Sequence, residues 1–302
     1  MGIEQRIVGA SIMGTQPAAG VKVPVNQGSV QETLLLPLWG RAFETGRPSP
    51  RLIDRKAVEI LEGVDYDFST IERTQSIAQH GWVVRSLVTD HIARGFIQAH
   101  PDATIVNLGC GMDTTFSRID NGQITFYELD FPDVMALRAH FFEETDRHVS
   151  IASSLHDTQW FSQVQATDGL LFLAGGVFMY SSETQMRAFF SAVADHFGTC
   201  EFVFDALSPL GLKIGKRMVL KKGGMESFMG SEGWAVTSPR ALERWDERIE
   251  IVSAEPMHRR IRGDLPLKER LILSIPDFLG VAKMIHLRIH GSSSHGQATN
   301  AG

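Results

Sequence analysis

The chain has 302 residues, of which 43% are hydrophobic and 21% charged, so it can bury one large core near the upper size of a single domain. Its formal net charge of −6 gives no electrostatic reason to bind nucleic acid or an anionic membrane surface. Cys110 and Cys200 form neither a disulfide framework nor a zinc-ligand spacing. Because no apolar run approaches the ~20 residues of a membrane span and no signal-peptide core is present, we expect a soluble cytoplasmic enzyme.

Residues 1–100 are predicted to form a helical cover that precedes the first strand of a sheet. From Ile77 onward apolar residues recur at helical spacing, and Pro101 discourages continuation, so a long helix is expected to end near His100. Arg85 lies toward the middle of this helix, one residue from its apolar face. On the residues alone, Arg85 is either a solvated charge with a buried stem or a group that binds a ligand.

Strand and helix patterns alternate over residues 101–290. The predicted strands are residues 103–108, 124–129, 149–153, 169–174, 201–206, 249–255 and 284–290. Several are near-continuous apolar runs, as expected for strands covered on both faces. An amphipathic helix between the fourth and fifth strands begins with a capping box of Ser182 and Gln185, and Ser238 with Pro239 is expected to cap and open another helix. The pattern predicts an α/β fold with a doubly wound, seven-stranded sheet.

The stretch between the first two predicted strands is the most informative part of the chain. Gly109 and Gly111, on either side of Cys110, let the backbone turn sharply and approach a ligand without a side chain in the way. Asp130 follows the two glycines by 21 and 19 residues, about the spacing at which an acid bonds a ribose diol. The stretch therefore predicts a site for an adenosine-containing cofactor; the alternative is a tight turn without a ligand.

The identity of that cofactor depends on the third position of the glycine motif. A dinucleotide fingerprint carries a third glycine there, which lets a helix pack close to the strand and point its amino end at a pyrophosphate. This chain has Thr114 instead. S-adenosylmethionine therefore fits better than NAD, and a nucleotide-binding oxidoreductase is a disfavoured alternative.

Two motifs carry a resemblance to a known family. The run Gly-Met-Asp-Thr-Thr-Phe at residues 111–116, with Asp-Phe-Pro at residues 130–132 after the next strand, resembles the leucine carboxyl methyltransferase family. The likeness extends from about residue 33 to about residue 209, and its closer match is the bacterial branch of tetracenomycin-type polyketide O-methyltransferases. It implies a class I methyltransferase-like sheet whose last strand is antiparallel, with S-adenosylmethionine as the cofactor.

The resemblance also implies roles for individual residues. Arg85 would hold the carboxylate of the cofactor's methionine half, and Ser154 and Leu155 would frame the adenine, with Ser154 where some relatives carry aspartate. After the fourth strand relatives read Glu-Gly-Val-Leu-Met-Tyr or close to it, but the glutamate position here is Gly175, so no catalytic residue is assigned. The predicted cofactor-binding residues are Arg85, Gly109, Cys110, Gly111, Asp130, Ser154 and Leu155.

The acceptor site is expected to draw on the helical cover and on an insertion at residues 211–234. Five basic residues form a local cluster there: Lys213, Lys216, Arg217, Lys221 and Lys222. Glycine hinges and apolar side chains, namely Met225, Phe228, Met229 and Trp234, predict a mobile lid. An attraction for an anionic or aromatic acceptor and a solvated loop with a hydrophobic underside are equally open interpretations.

Side chains at other predicted strand ends have two interpretations each. His156 and Tyr180 could orient an acceptor, or they could be a surface histidine and a tyrosine at the edge of the core. His286 and His290 alternate with apolar residues, which predicts the polar face of a strand and no metal site.

Taken together, the sequence predicts one methyltransferase domain over residues 1–290 and a disordered tail at residues 291–302. The predicted activity is transfer of a methyl group from S-adenosylmethionine to a carboxylate or hydroxyl of a small polyketide-like or aromatic metabolite. A protein C-terminal carboxyl methyltransferase and a cofactor-binding protein without catalysis are the alternatives. The acceptor, the nucleophilic atom and the oligomeric state are left open.

Overall fold

The computed structural model describes residues 22–24, 30–69, 71, 78–221 and 233–291. The described part of the helical cover contains α1 (Val30–Thr45), α2 (Arg55–Glu62) and α3 (Ala78–Ala99), and α3 has the bounds expected from the apolar spacing. It also contains a small parallel sheet of β1 (Val23–Pro24) and β2 (Val64–Asp65), which the sequence analysis did not predict. Strands of two residues are too short to show an alternating pattern.

Seven further strands form the central sheet, and their predicted bounds are confirmed to within two residues at every end. The strands are β3 (Thr104–Leu108), β4 (Thr125–Asp130), β5 (His148–Ala152), β6 (Leu170–Ala174), β7 (Cys200–Leu207), β8 (Ile249–Pro256) and β9 (Ala282–Ile289). Their order in the sheet is β5-β4-β3-β6-β7-β9-β8, and only β9 runs antiparallel to its neighbours. The carboxyl ends of β3 to β7 therefore share one edge, where doubly wound sheets bind their ligands.

Helices cover both faces of this sheet. They are α4 (Thr115–Ile119), α5 (Pro132–Arg138), α6 (Glu183–Phe197), α7 (Pro209–Lys221) and α8 (Leu267–Phe278), with 3₁₀ turns at Thr158–Gln163, Phe178–Tyr180, Pro239–Arg244 and Arg262–Asp264. The core on the α6 side is aromatic, and the rings of Phe172 and Phe202 stack with their centroids 4.5 Å apart. The core on the α3 side is mainly aliphatic and includes Val84, Val88 and Ile105. Burial of each such side chain contributes about 1.5–3 kcal/mol.

The two predicted helix starts have different outcomes. Ser182 and Gln185 form the expected capping box, in which the Gln185 backbone N donates to Ser182 Oγ at 3.2 Å and the Ser182 backbone N donates to Gln185 Oε1 at 2.8 Å. The prediction at Ser238 was wrong in two respects: the segment after it is a 3₁₀ turn, and the Ser238 side chain makes no capping hydrogen bond. Ser-Pro indicates the start of a helical segment, but the preferences of two residues do not determine its type or length, which tertiary packing decides.

The predicted lid at residues 211–234 divides into parts. Residues 211–221 form most of α7, and residues 222–232 lie outside the described residues, as does the predicted tail from residue 292 onward. Trp234 was predicted to be an apolar contact of the lid, which was wrong. It is 3% exposed and belongs to the core, where its ring lies 5.5 Å from that of Trp245 and stacks near Phe204. In the described ranges, no helix combines the length and apolarity needed to cross a bilayer.

Candidate functional site

The glycine turn leaves the carboxyl end of β3 with the backbone in a conformation that favours glycine. Gly109 has φ of +58° and Gly111 has φ of +48°. A Cβ on Gly109 would lie 2.6 Å from Val177 Cγ2, because the loop that follows β6 packs directly on the turn. Both the dihedral angle and the space therefore require glycine at residue 109.

Asp130 lies at the end of β4 and faces this turn. Its Oδ2 accepts a hydrogen bond from the Gly111 backbone N at 2.8 Å, and its Oδ1 accepts one from the Phe131 backbone N at 2.8 Å. Burial raises the pKa of Asp130 despite these two bonds, and the carboxylate forms no ion pair with a described cation. Each oxygen keeps a lone pair, so the group can accept two more hydrogen bonds, such as those of a vicinal diol.

Cys110, between the two glycines, has a packing role. Its thiol donates a weak hydrogen bond to Met135 Sδ at 3.7 Å, and its backbone N donates to the Leu129 carbonyl at 3.1 Å. Burial raises the pKa of the Cys110 thiol, so the side chain stays protonated and unreactive.

A buried group of charges ties the turn to the helical cover, and we name it the anchoring cluster: Arg41, Asp54, Asp90, Asp113 and Arg118. Asp54 is fully buried, and its Oδ2 accepts hydrogen bonds from Arg41 Nε at 2.8 Å and Arg118 Nη1 at 2.9 Å. Arg118 also pairs with Asp90 through Nε and Nη2, at 2.8 and 2.9 Å. Every charge in the cluster therefore has an opposite partner.

Asp113 is the member of the anchoring cluster within the turn region itself. Burial raises the pKa of Asp113, but Arg41 and Arg118 outweigh it and lower the pKa to about 2. Arg41 also donates from Nη2 to the Met112 carbonyl at 2.9 Å. The helical cover thus holds the glycine turn in two ways: Arg41 binds a backbone carbonyl of the turn, and it attracts the charge of Asp113.

A second buried arginine supports the turn from the other side. Arg138, at the end of α5, donates from Nη1 to the Gly111 carbonyl at 2.7 Å and to the Asp113 carbonyl at 2.9 Å. Its Nη2 lies 2.8 Å from Glu128 Oε1, inside β4. The sequence analysis missed Arg138 and the anchoring cluster; a glutamate inside an otherwise apolar strand was the one signal that pointed to a buried partner.

Arg85 reaches from α3 to the carboxyl ends of β6 and β7. Its Nη2 donates to Asp205 Oδ2 at 2.8 Å, and its side chain lies against Gly175 and Gly176. Its Nε is buried and has no hydrogen-bond partner among the described residues. An unpaired buried N–H group is costly, so this atom is available to an acceptor that enters the site.

The loop after β5 forms the other end of the site. The Ser153 backbone N donates to the Asp130 carbonyl at 2.9 Å, which places Ser154 and Leu155 next to the end of β4. Ser154 Oγ accepts a hydrogen bond from the His156 backbone N at 3.3 Å. His156 Nε2 lies 2.8 Å from Ser181 Oγ in the loop after β6, and burial lowers the pKa of His156, which keeps the ring neutral at pH 7.

These residues lie along one edge of the sheet, and we name their arrangement the cleft: Arg85, Asp130, Ser154, Leu155, Gly175 and Asp205. The cleft has the features that S-adenosylmethionine requires. A carboxylate without a cation matches a ribose diol, an unpaired guanidinium N–H matches a carboxylate, and the half-buried Leu155 matches an adenine. The residues present therefore fit this cofactor, and the individual contacts remain predictions.

No metal site is evident in the same region. Within the described ranges, no group of three or more His, Cys, Asp or Glu side chains is placed to hold a metal ion. His286 and His290 lie on β9, between β7 and β8, where His286 Nε2 is 2.6 Å from Glu201 and His290 Nε2 is 2.8 Å from Glu250. These contacts are hydrogen bonds between side chains of neighbouring strands.

Comparison with known proteins gives the same picture. The model of the leucine carboxyl methyltransferase family matches residues 35–194. The tetracenomycin polyketide synthesis O-methyltransferase TcmP of Streptomyces glaucescens is 33% identical over 215 residues, which cover 71% of this chain and 78% of that protein. The S-adenosyl-L-methionine-dependent methyltransferase dpfgK of Gibberella zeae is 25% identical over 242 residues, covering 74% of this chain and 80% of that protein.

Among solved structures, a DUF574 family protein from Streptomyces avermitilis has the same fold. The TM-score is 0.53, with 8% identity, and the match covers 83% of this chain and 97% of that protein. At this identity the likeness concerns the arrangement of strands and helices alone.

Proposed function

The chain belongs to the leucine carboxyl methyltransferase family and is an S-adenosylmethionine-dependent methyltransferase, and we propose that it methylates a carboxylate or hydroxyl oxygen of a small aromatic or polyketide-like metabolite. One observation carries the assignment of the cofactor site: Asp130 and the glycine turn are in contact, and the carboxylate forms no ion pair with a described cation. The relative from Streptomyces glaucescens, whose name refers to polyketide synthesis, supports the class of acceptor.

S-adenosylmethionine supplies an activated methyl group on a sulfonium, so the protein has little covalent work to do. Asp130 would bind the ribose, Ser154 and Leu155 would enclose the adenine, and Arg85 would bind the carboxylate with a charge-assisted hydrogen bond. Positioning of two reactants in this way can lower a barrier by about 7–11 kcal/mol. The chain's main task is thus to hold the acceptor oxygen in line and to exclude water.

A cavity at the carboxyl end of β7 is our proposal for the acceptor pocket. Its volume is about 390 Å³, and its lining includes Ala206, which follows Asp205 along β7 and points to the opposite face of the sheet. Its lining includes the apolar side chains of Pro209, Leu210, Val236 and Ile285, and one cation, Lys283. A pocket of this size and polarity suits a small aromatic molecule. Within the described part of the chain Lys283 has no ion-pair partner, so it can attract a carboxylate or phenolate.

The cleft does not commit the protein to one nucleophile. A carboxylate acceptor is already ionised at neutral pH and needs no base, whereas a phenol or an alcohol gains from one. The neutral His156, which lies in the loop after β5, is hydrogen-bonded with Ser181 and lies on the adenine side of the cleft. We therefore assign no general base and favour acceptors that ionise by themselves.

Calorimetric titration tests the proposal directly. Purified protein is titrated with S-adenosylmethionine, S-adenosylhomocysteine and NAD, alongside Asp130→Ala. We expect micromolar binding of the first two, lost in the variant. Binding of NAD alone, or of nothing, would contradict the assignment of the cofactor site.

A second experiment identifies the acceptor oxygen. Small aromatic carboxylic acids and phenols are offered with S-adenosylmethionine that carries a labelled methyl group, and each product is then treated with mild alkali. A methyl ester releases labelled methanol, while a methyl ether keeps its label. Lys283→Met should raise the KM for the acceptor and leave cofactor affinity unchanged; an unaltered KM would argue against the proposed acceptor pocket.

A further inference from the structure

Asp205 is a buried carboxylate that the sequence analysis did not single out and that the proposed chemistry does not use directly. It is 1% exposed and lies near the end of β7, on the face of the sheet that α3 covers. One of its oxygens accepts the hydrogen bond from Arg85 Nη2 at 2.8 Å, and the other accepts one from the Gly176 backbone N. A single carboxylate thus joins α3, the exit of β6 and β7.

The same contacts determine where the Arg85 side chain lies. A Cβ on Gly175 would be 2.9 Å from Arg85 Cδ, and a Cβ on Gly176 would be 2.8 Å from Arg85 Nη1. Gly176 has φ of +76°, which also favours glycine, whereas Gly175 has no such backbone requirement. The aliphatic stem of Arg85 therefore occupies the space that a side chain at residue 175 would need, which explains the glycine there.

These observations explain how this chain departs from its relatives at residue 175. At residue 175 the resemblance to relatives leads one to expect a glutamate, but a glutamate there would occupy the place that the Arg85 stem takes. The neighbouring strand supplies the carboxylate instead, at Asp205. Because both oxygens of Asp205 are engaged by protein donors, it orients Arg85, whose Nε has no partner among the described residues and is left for a ligand.

We propose that Asp205 is a positioning residue, which together with Gly175 aims Arg85 at the amino-acid carboxylate of the bound cofactor. This inference rests on the proposed function, because it needs S-adenosylmethionine in the cleft. Asp205 holds one N–H of Arg85 Nη2, which fixes the plane of the guanidinium so that its remaining N–H groups are presented to the ligand. Without that anchor the long side chain would lose its orientation to rotamer freedom.

The test compares two ligands that differ only in the half that Arg85 would contact. S-adenosylhomocysteine carries the amino-acid group, and 5′-methylthioadenosine lacks it. Both are titrated into the wild type, Asp205→Asn, Gly175→Ala and Glu201→Gln. The last is the control: it removes a charge on the same face of β7 that pairs with His286 and Arg288, away from Arg85.

We expect Asp205→Asn to lower the affinity for S-adenosylhomocysteine by about ten- to a hundredfold. The reason is that the amide of asparagine can accept only one of the two hydrogen bonds that the carboxylate accepts. Gly175→Ala should act in the same direction by displacing the Arg85 stem. Affinity for 5′-methylthioadenosine should be unchanged in both, and Glu201→Gln should affect neither ligand.

Three outcomes would overturn the inference. The first is that the variants lose affinity equally for both ligands, and the second is that they lose no affinity for S-adenosylhomocysteine. The third is that the wild type binds the two ligands with equal affinity. If Asp205→Asn does not fold, as judged by near-ultraviolet circular dichroism, Gly175→Ala decides the result. Failure of the proposed function has a different signature, because the wild type would then bind neither ligand.

Discussion

The anchoring cluster and the cleft both contact the glycine turn, yet their charged side chains differ in how fully the protein itself pairs them. In the anchoring cluster every carboxylate meets an arginine, and the pKa of Asp113 falls to about 2 because Arg41 and Arg118 outweigh the effect of burial. In the cleft, burial raises the pKa of Asp130, which has no ion pair with a described cation, and Arg85 Nε is buried without a hydrogen-bond partner in the part of the chain that the structure describes.

This difference separates structural charges from binding charges without reference to relatives. A carboxylate whose hydrogen-bond capacity is filled inside the protein stabilises the fold and has little left for a ligand. A carboxylate or guanidinium whose capacity is unfilled costs folding free energy, and a ligand that completes it recovers that cost. Charged groups with unfilled hydrogen-bond capacity and a shifted pKa concentrate at functional sites.

The largest expected effect breaks the anchoring cluster at its centre. Asp54→Ala removes the hydrogen-bond acceptor of Arg41 Nε and of Arg118 Nη1 and leaves these buried N–H groups of two guanidinium groups unsatisfied. We expect the free energy of unfolding to fall by about 3–5 kcal/mol. Urea denaturation measures the loss. Glu183→Ala, which breaks the exposed pair with Arg187 in α6, is the control and should cost less than about 1 kcal/mol. Similar losses in both variants would remove the distinction.

The pH dependence of stability sharpens the comparison. The folded pKa of Asp113, about 2, is below its ordinary value of 3.8, so its stabilisation is complete above pH 3.8 and is lost as the pH falls through about 2. We expect about 2 kcal/mol from this group in the wild type and a flatter acid limb in Asp113→Asn. Urea titrations at several pH values between 2 and 5 provide the measurement. Parallel acid limbs would mean that Asp113 is not the anchored group described here.

The matching experiment in the cleft should separate binding from stability. Asp130→Asn keeps the shape of the side chain and removes a charge that the fold disfavours, so stability should stay within about 1 kcal/mol of the wild type. Affinity for S-adenosylhomocysteine should fall by about tenfold or more, because hydrogen bonds to a charged acceptor are lost. The exposed Asp133, in the first turn of α5, gives the control variant Asp133→Asn, with no expected change in affinity. A fall in stability like that of Asp54→Ala would place Asp130 among the structural charges.

The smallest effect is expected at the adenine end of the cleft. Ser154→Ala removes a neutral hydroxyl, which is worth about 1 kcal/mol, so cofactor affinity should fall less than tenfold. Ser154→Asp should strengthen binding by a similar factor if the hydroxyl stands in for the aspartate of relatives. Calorimetry with S-adenosylmethionine measures both changes, and weaker binding by Ser154→Asp would show that this residue does not face the adenine.

Much of the fold could be predicted from the chain because the patterns are local. Apolar runs place the seven strands to within two residues, and the spacing of apolar residues places α3. The glycine turn and Asp130 were predicted to belong to one cofactor site; they lie in contact through the hydrogen bond between Gly111 and Asp130, and their binding of the cofactor stays a prediction. The errors fall where local pattern is weakest, at the uncapped 3₁₀ turn after Ser238 and at Trp234, whose burial depends on rings from β7 and from residue 245.

The sequence by itself determined the class of fold and the cofactor motif, because hydrophobic periodicity and glycine spacing act over a few residues. Only the tertiary structure decided which charged side chains are paired within the protein to hold the glycine turn, and which keep hydrogen-bond capacity for a ligand. Arg85 and Asp205 are 120 residues apart, and Arg118 and Asp54 are 64 apart, so their pairing depends on how α3 and the helical cover pack on the sheet. Electrostatic partners of this kind are chosen by packing, which no local pattern of residues encodes.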